Sequence, residues 1–289
     1  MLLALLKTMR PKQWPKNGFV FAALIFDKQL TDPLAFSRTL LGFVLFCLVS
    51  SAVYIINDLT DVEADRQHPT KRKRPIPSGQ LSPAVASGAV VLILVIAFPL
   101  AYLLSPLFAL IILIYFLLNL AYSFWIKHIP ILDVMVLASF YVLRVGAGVV
   151  LIQVARFSPW LYVFTIFLAL YLGVGKRRAE LTLLAEGANA HRKVLEGYNI
   201  PLLDQLITIV SSATIFTYSL YTFSAVNLPD NHAMMLTIPF VIYGIFRYLY
   251  LIQIEQSGGA PEEVLFSDRP LQLTLLLWGL AVLIIFYFV

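Results

Sequence analysis

Residues 40–56 carry no charged side chain, and further runs of similar length follow, each ended by proline, glycine or a cluster of charges. Such runs leave little choice of fold. In hydrocarbon every backbone N–H and C=O must be satisfied within its own segment, so the runs form helices that cross a bilayer. At roughly 20 apolar residues per crossing, about nine can be counted. They fall at residues 17–26, 39–56, 82–104, 106–124, 131–152, 159–174, 202–225, 234–254 and 271–289. Once they are removed no water-soluble domain remains, so residues 1–289 are read as a single integral-membrane domain, all-α, with its helices around a central cavity. Only 13% of the 289 residues are charged and the mean hydropathy is +0.84, which excludes a soluble globule. The lone cysteine, Cys47, rules out an internal disulfide or a cysteine metal site. A cleavable leader is not expected, because Arg10-Pro11-Lys12 interrupts the short first apolar stretch.

Where the cations fall sets the orientation. Lys7, Arg10, Lys12 and Lys16 lie on one side, with Arg66, the run Lys71 to Arg74, Lys127, Lys176 to Arg178, Arg192, Lys193 and Arg269. Lys28, Arg38 and Arg156 are left for the other. The basic side is the cytoplasmic one. This bias explains the isoelectric point of 9.2 without a nucleic-acid partner.

At the cytoplasmic end of the second run stands Asn57-Asp58-Leu59-Thr60-Asp61-Val62-Glu63-Ala64-Asp65. The i, i+3, i+7 spacing puts Asp58, Asp61 and Asp65 on one helix face, with Asn57 beside them and Tyr54 a turn earlier; Glu63 points away. Carboxylates that close repel unless a cation joins them. An all-oxygen donor set suits Mg²⁺, with Mn²⁺ able to substitute, shared with substrate phosphates. Arg66 and Lys71 to Arg74 follow, in a loop broken by Pro75, Pro77 and Gly79. A metal face beside a mobile basic loop describes a diphosphate site, although a basic run alone is as readily a topology signal facing anionic lipid. His68 and His128 have no second histidine at a ligand spacing and are read as loop residues.

Other polar residues need an account. Arg144 lies midway along the fifth run, where an unpaired guanidinium is costly, so it faces the interior against an anion. That anion is a carboxylate such as Asp133, or a bound phosphate. The small residues Gly146, Ala147 and Gly148 permit close helix approach. Lys127 and Lys16 are read as snorkelling lysines or as phosphate donors. The Lys176-Arg177-Arg178 cluster, with Glu180, faintly echoes the charged end of the second run.

The pattern Asn57-Asp58-x-x-Asp61-x-x-x-Asp65, continuing through Arg66, His68-Pro69, Lys71, Arg74-Pro75-Ile76 and Gly79, resembles the first signature of the UbiA-type intramembrane prenyltransferases. Tyr122-Ser123, Lys127, Asp133 and the nine-run layout extend that resemblance over essentially the whole chain. It implies an enzyme that binds a diphosphate through Mg²⁺ on two aspartate-rich motifs, after the second and sixth crossings. This sequence departs at the second, where Lys176, Arg177 and Arg178 stand with only Glu180 acidic. The departure, with Lys16-Asn17 and Leu143-Arg144-Val145-x-Ala147-Gly148, is similar to the branch that moves phosphoribosyl from phosphoribosyl diphosphate to a decaprenyl or other polyprenyl phosphate.

The resemblance then implies roles. Asn57, Asp58, Asp61 and Asp65 would hold the metal, with Asp58, Asp61 and Asp65 catalytic. Lys16, Tyr54, Lys71, Arg74, Lys127, Arg144, Lys176, Arg177 and Arg178 would bind substrate. The setting would be a bacterial or archaeal plasma membrane, with the site facing the cytoplasm. The partners would be the two substrates, the bilayer and at most further copies of the chain, and the product would feed cell-envelope polysaccharide. The competing readings are an aromatic prenyltransferase for quinone or haem synthesis and an anion transporter. A transporter needs no Mg²⁺ face, and the interrupted helix pairs of transporter halves are not evident.

The lopsided cations make the orientation testable. A cysteine engineered at Asp230 is labelled by an impermeant thiol reagent in intact cells, while one at Lys73 or Glu180 is not. External labelling at position 73 reverses the assignment.

Overall fold

The computed structural model describes residues 1–67, 71–152, 154, 157–185, 193–255, 264–265 and 267–288. Expectations resting on His68, Pro69, Arg156 and Arg192 lie outside the described residues. Everything regular among the described residues is helical, and eight helices are long and apolar enough to cross a membrane. In order, the helices are α1 (Leu2–Met9), α2 (Ala22–Phe26), α3 (Pro33–Thr60), α4 (Val62–Gln67), α5 (Pro83–Leu104) and α6 (Pro106–Phe124). They continue with α7 (Leu132–Leu151), α8 (Pro159–Ala185), α9 (Ile200–Ser224), α10 (Ile238–Gln253) and α11 (Arg269–Phe288).

Local chemistry starts these helices where the sequence supplies a cap and a proline. Asp32 accepts from the amides of Leu34 (2.8 Å) and Ala35 (3.1 Å), with Pro33 at the first turn of α3. Ser82 caps α5 through Val85 N (3.3 Å), ahead of Pro83, and Asn199 caps α9 through Leu202 N (2.8 Å). Each cap satisfies an amide that the helix cannot, and proline there forfeits no hydrogen bond.

The first expected crossing, 17–26, is not one α-helix. Pro11–Phe21 is a 3₁₀ segment with Pro15 inside it, and only Ala22–Phe26 is α-helical. A proline has no N–H and crowds the carbonyl one turn back, which blocks a regular α-helix here. The tighter winding still covers the depth. Trp14 Nε1 donates to Ser51 Oγ (3.1 Å), Asn17 Nδ2 to Ser50 Oγ (3.2 Å), and the Phe21 ring lies 5.6 Å from that of Phe43. The segment therefore runs antiparallel along α3. At about 2.0 Å per 3₁₀ residue and about 1.5 Å per α residue it reaches about 30 Å, the thickness of a hydrocarbon core.

Contacts divide the chain into two compact units. The first comprises Met1–Leu24, Gln29–Phe124 and Leu143–Val154. Its axis is α3, which packs against α1, the 3₁₀ segment, α5 and α6. Met9, Ala52, Ile55, Ile76, Leu81, Ala86 and Val90 form one of its buried clusters. The second half of α7 closes against the 3₁₀ segment at Gly148, where an added Cβ would collide with the carbonyl oxygen of Val20. The second unit comprises Ile25–Lys28, Trp125–Val142 and Ala155–Val289. There α8 and α9 pack side by side and α10 joins both. Its core includes Val134, Tyr171, Leu203, Ile207, Ile245, Leu251 and Leu271, and Tyr171 Oη donates to Ile245 O at 2.6 Å.

Gly148 is expected to tolerate no side chain, because the atom it meets is backbone. Gly148→Ala lowers stability by about 1–3 kcal/mol, as overpacked sites do, read as a lower Tm in detergent. An unchanged Tm removes the close approach.

Candidate active site

The aspartate stretch begins on the last turn of α3, which stops at Thr60. Asp61 leaves the helical region with φ −97° and ψ 11°, and α4 resumes at Val62. The amide of Asp61 still donates to Asn57 O (3.0 Å) and that of Asp65 to Asp61 O (2.8 Å), so the track bends without losing register. The expected shared face survives for two of its members. Asp58 and Asp65 are each 2% exposed and converge on one guanidinium nitrogen: Arg74 Nη1 donates to Asp58 Oδ1 (3.1 Å) and to Asp65 Oδ2 (2.7 Å). That nitrogen carries two hydrogens, one for each carboxylate. Lys71 Nζ lies 3.8 Å from Asp65 Oδ1.

A second guanidinium, which the sequence did not suggest, reaches the same carboxylate. Arg10 Nη2 donates to Asp58 Oδ1 at 2.5 Å, and its guanidinium lies 4.9 Å over the Tyr54 ring. Tyr54 thus stands on the aspartate face, as its position one turn before Asp58 requires. Arg66 turns instead to exposed Glu63 (2.7 Å), away from the aspartates. The basic loop is more firmly held than a mobile strap: Pro75, Ile76 and Pro77 are buried, with Ile76 in the core of the first unit.

Among the described residues no three carboxylate, histidine or cysteine side chains gather closely enough to hold one ion. Asp61 is half-buried at the bend between α3 and α4. The donor set nevertheless fits a hard divalent cation. Asn57 Oδ1 is buried and, among the described residues, accepts no hydrogen bond. Beside it the Asp58 and Asp65 oxygens meet at Arg74, a cation bridging two carboxylates as a metal ion does.

Deeper in the first unit, Arg144 is 5% exposed. Its Nε donates to Asn17 Oδ1 (2.8 Å) and its Nη2 to Tyr115 Oη (3.0 Å), with the Tyr115 ring 5.0 Å from the guanidinium. Asn17 Nδ2 also lies 3.3 Å from Cys47 Sγ, so Arg144 is tied to α3 through one amide. Asp133 is not its partner. Eleven residues along one helix separate the two by about 16 Å, and Asp133 is held by another arginine. Lys16 is half-buried next to Asn17.

That other arginine is Arg177, in the second unit. It is fully buried, Nε donating to Asp133 Oδ2 and Nη1 to Glu180 Oε2, each at 2.6 Å. Tyr198 Oη donates to Asp133 Oδ1 (2.6 Å) and accepts from Ile131 N (2.5 Å). Ile131 adopts φ 68°, unusual for a β-branched residue, and Gly197 leaves no room for a Cβ beside Pro130. Burial pushes the Tyr198 hydroxyl well above the usual phenol range, and its bond to Asp133 adds to this. It stays a donor. Arg178 is engaged as well, with Nε to Asp204 Oδ1 (2.6 Å) and Nη1 to Ile252 O (3.2 Å). The expected cationic cluster therefore divides. Arg177 and Arg178 pin the C-terminal part of α8 to its neighbours, while Lys176 is half-buried. Lys127 is half-buried on the 3₁₀ turn Ile126–His128.

Sequence and fold comparisons agree. Residues 18–276 match the UbiA prenyltransferase family. The chain is 34% identical to the decaprenyl-phosphate phosphoribosyltransferase of Corynebacterium glutamicum over 290 residues, covering 98% of this chain and 86% of that one. It is 35% identical to the enzyme of the same name from Mycobacterium tuberculosis over 283 residues, covering 96% and 92%. A UbiA homolog from Archaeoglobus fulgidus, solved with DMAPP and Mg²⁺, superposes with a TM-score of 0.73 over 99% of both chains at 19% identity, a likeness of fold. Matched along nearly its whole length in sequence and in helical architecture, the chain belongs to the UbiA prenyltransferase family.

Proposed function

We propose that the chain transfers the 5-phosphoribosyl group of phosphoribosyl diphosphate to a polyprenyl phosphate, decaprenyl phosphate or a close analogue, releasing diphosphate. The observation that carries this reading is the pair of relatives at 34% and 35% identity along nearly the whole chain, both named for that activity. The cations at the end of α8, where the family's prenyl-diphosphate enzymes are expected to place aspartates, support it. The reaction would take place at the cytoplasmic face of the plasma membrane and feed cell-envelope polysaccharide.

The mechanism follows from charge. Asn57, Asp58, Asp61 and Asp65 would hold Mg²⁺, or Mn²⁺ in its place. The bound metal would supply Lewis-acid neutralisation of the diphosphate leaving group. Arg74 and Lys71, already at the carboxylates, take diphosphate oxygens as charge-assisted donors. The C1–O bond to diphosphate breaks, and the oxocarbenium character that develops at ribose C1 is stabilised by the neighbouring carboxylates. A lipid phosphate oxygen forms the new bond from the opposite face, with inversion at C1. That oxygen is already ionised, so no general base is needed. Both substrates bring further phosphates, for which Lys16, Arg144, Lys127 and Lys176 are the candidate donors. Arg177 and Arg178 act from inside their ion pairs, fixing the helix end that carries Lys176.

Purified protein supplied with labelled phosphoribosyl diphosphate and a polyprenyl phosphate is expected to put ribose label into the lipid extract, and only with Mg²⁺ or Mn²⁺ present. Asp61→Asn abolishes that label while the protein remains folded in detergent. Full activity in excess chelator sinks the metal site. Prenylation of 4-hydroxybenzoate with no ribose label in lipid sinks the phosphoribosyl reading.

The two neighbouring cations separate by readout. Lys176→Ala weakens binding of a phosphorylated substrate by about 1.5–3 kcal/mol for the charge-assisted bond lost, seen as a raised KM. Arg177→Ala leaves Asp133 and Glu180 without their cation and costs about 3–5 kcal/mol of stability. A variant of Arg177 with a wild-type Tm contradicts the buried pairing.

A further inference from the structure

Arg10 lies outside the aspartate signature, yet the backbone is built to deliver it there. It ends α1 in the left-handed region, φ 53° and ψ 62°, which residues with a side chain rarely occupy. Its amide donates to Lys7 O (3.2 Å) and its carbonyl accepts from Gln13 N (2.8 Å), so the turn is fixed on both sides. Pro11 follows and fixes the exit. The side chain crosses to α3 and lands on Asp58 Oδ1, stacked over Tyr54. Asp58 is 2% exposed and Arg10 28%, so the cation covers the carboxylate from its open side. Arg74 Nη1 shares the same oxygen, and the neighbouring Asn57 Oδ1 accepts no hydrogen bond among the described residues.

An Asp58 oxygen that already takes hydrogens from two guanidinium groups is a poorer ligand for a divalent ion at about 2.1 Å, because the cations repel. A half-buried guanidinium released from its carboxylate is better satisfied by another anion than by water alone. The arriving diphosphate is one.

We propose that Arg10 is the internal counter-ion of Asp58 in the empty enzyme and transfers to the substrate's diphosphate when the metal takes its place on Asp58. This rests on the metal-diphosphate reading above and adds a residue that reading does not use. The exchange keeps Asp58 neutralised at every stage and makes the two ligands cooperative. The metal alone competes with Arg10 for Asp58 and leaves it no anion, whereas metal with diphosphate supplies one. Arg10 also joins α1 to the 3₁₀ segment, so the ligand state of the site bears on that junction.

The test uses the full chain in detergent and two titrations: Mn²⁺ alone, followed by electron paramagnetic resonance, and inorganic diphosphate at saturating Mn²⁺, followed by calorimetry. Arg10→Gln removes the competitor, so Mn²⁺ alone binds several-fold tighter, while diphosphate binds about tenfold weaker for want of a charged donor. Arg10→Lys keeps the charge. It holds Mn²⁺ affinity near wild type and weakens diphosphate less than the glutamine variant does. Opposite signs for the two ligands support the exchange. An Arg10→Gln protein whose Mn²⁺ affinity is unchanged or lower overturns it, because a merely structural arginine loosens both ligands together. Should the glutamine variant fail to fold, Arg10→Lys decides: undiminished diphosphate binding overturns the transfer. Asp58→Asn and Asp65→Asn tell this failure from that of the underlying reading. If both bind Mn²⁺ as the wild type does, the metal is not at this face, and both ideas fall.

Discussion

A carboxylate removed from water needs a cation beside it, and much of this structure answers that need. Among the described residues the buried carboxylates are Asp58, Asp65 and Asp133, and each meets a guanidinium. Desolvating a charge costs several kcal/mol, and a well-placed ion pair with further hydrogen bonds recovers much of that cost. The constraint decides which elements touch. Arg10 draws the end of α1 onto α3, Arg74 draws the basic loop back under α4, and Arg177 holds the start of α7 against α8. Arg144, a buried cation, is itself held by the Asn17 amide and the Tyr115 hydroxyl and ring.

The same pairs suit the proposed chemistry. Two carboxylates fixed on one nitrogen of Arg74 are two acceptors set close together, which is what a divalent ion needs and what an isolated acidic helix end does not offer. The arginines that neutralise them are donors of the kind a diphosphate requires. In the second unit the buried pairs serve position: Asp133 accepts from both Arg177 and Tyr198, and so ties the C-terminal part of α8 and the residues before α9 to the start of α7.

Much of this was legible in the residues. The apolar runs announce the helices, since only a helix satisfies its own backbone in hydrocarbon. The i, i+3, i+7 aspartates and Tyr54 announce one face, and the loop cations announce an anion. Three things were not legible. Arg10 is 48 residues from Asp58 and reaches it through a left-handed turn, which no periodicity signals. Asp133 looked like a partner for Arg144 because the two share a helix face, but sharing a face does not shorten the distance along the axis. Arg177 read as a substrate-binding cation alongside Lys176 and Arg178. The i, i+3 pair with Glu180 was a local hint of its burial, whereas its bond to Asp133 spans 44 residues.

By itself the sequence determined the properties that depend on neighbours in the chain: apolar length, helical period, caps, prolines and the side on which charge collects. These decide that the protein is a helical membrane protein with an acidic face beside a basic loop. Only the tertiary structure decided which cation neutralises which carboxylate, that the first crossing winds as a 3₁₀ segment along α3, and that Lys176, Arg177 and Arg178 have unlike surroundings. The reason is physical. Helix formation is governed by bonds within four residues, while the pairing of buried charges is a competition among every partner the fold brings within about 3 Å.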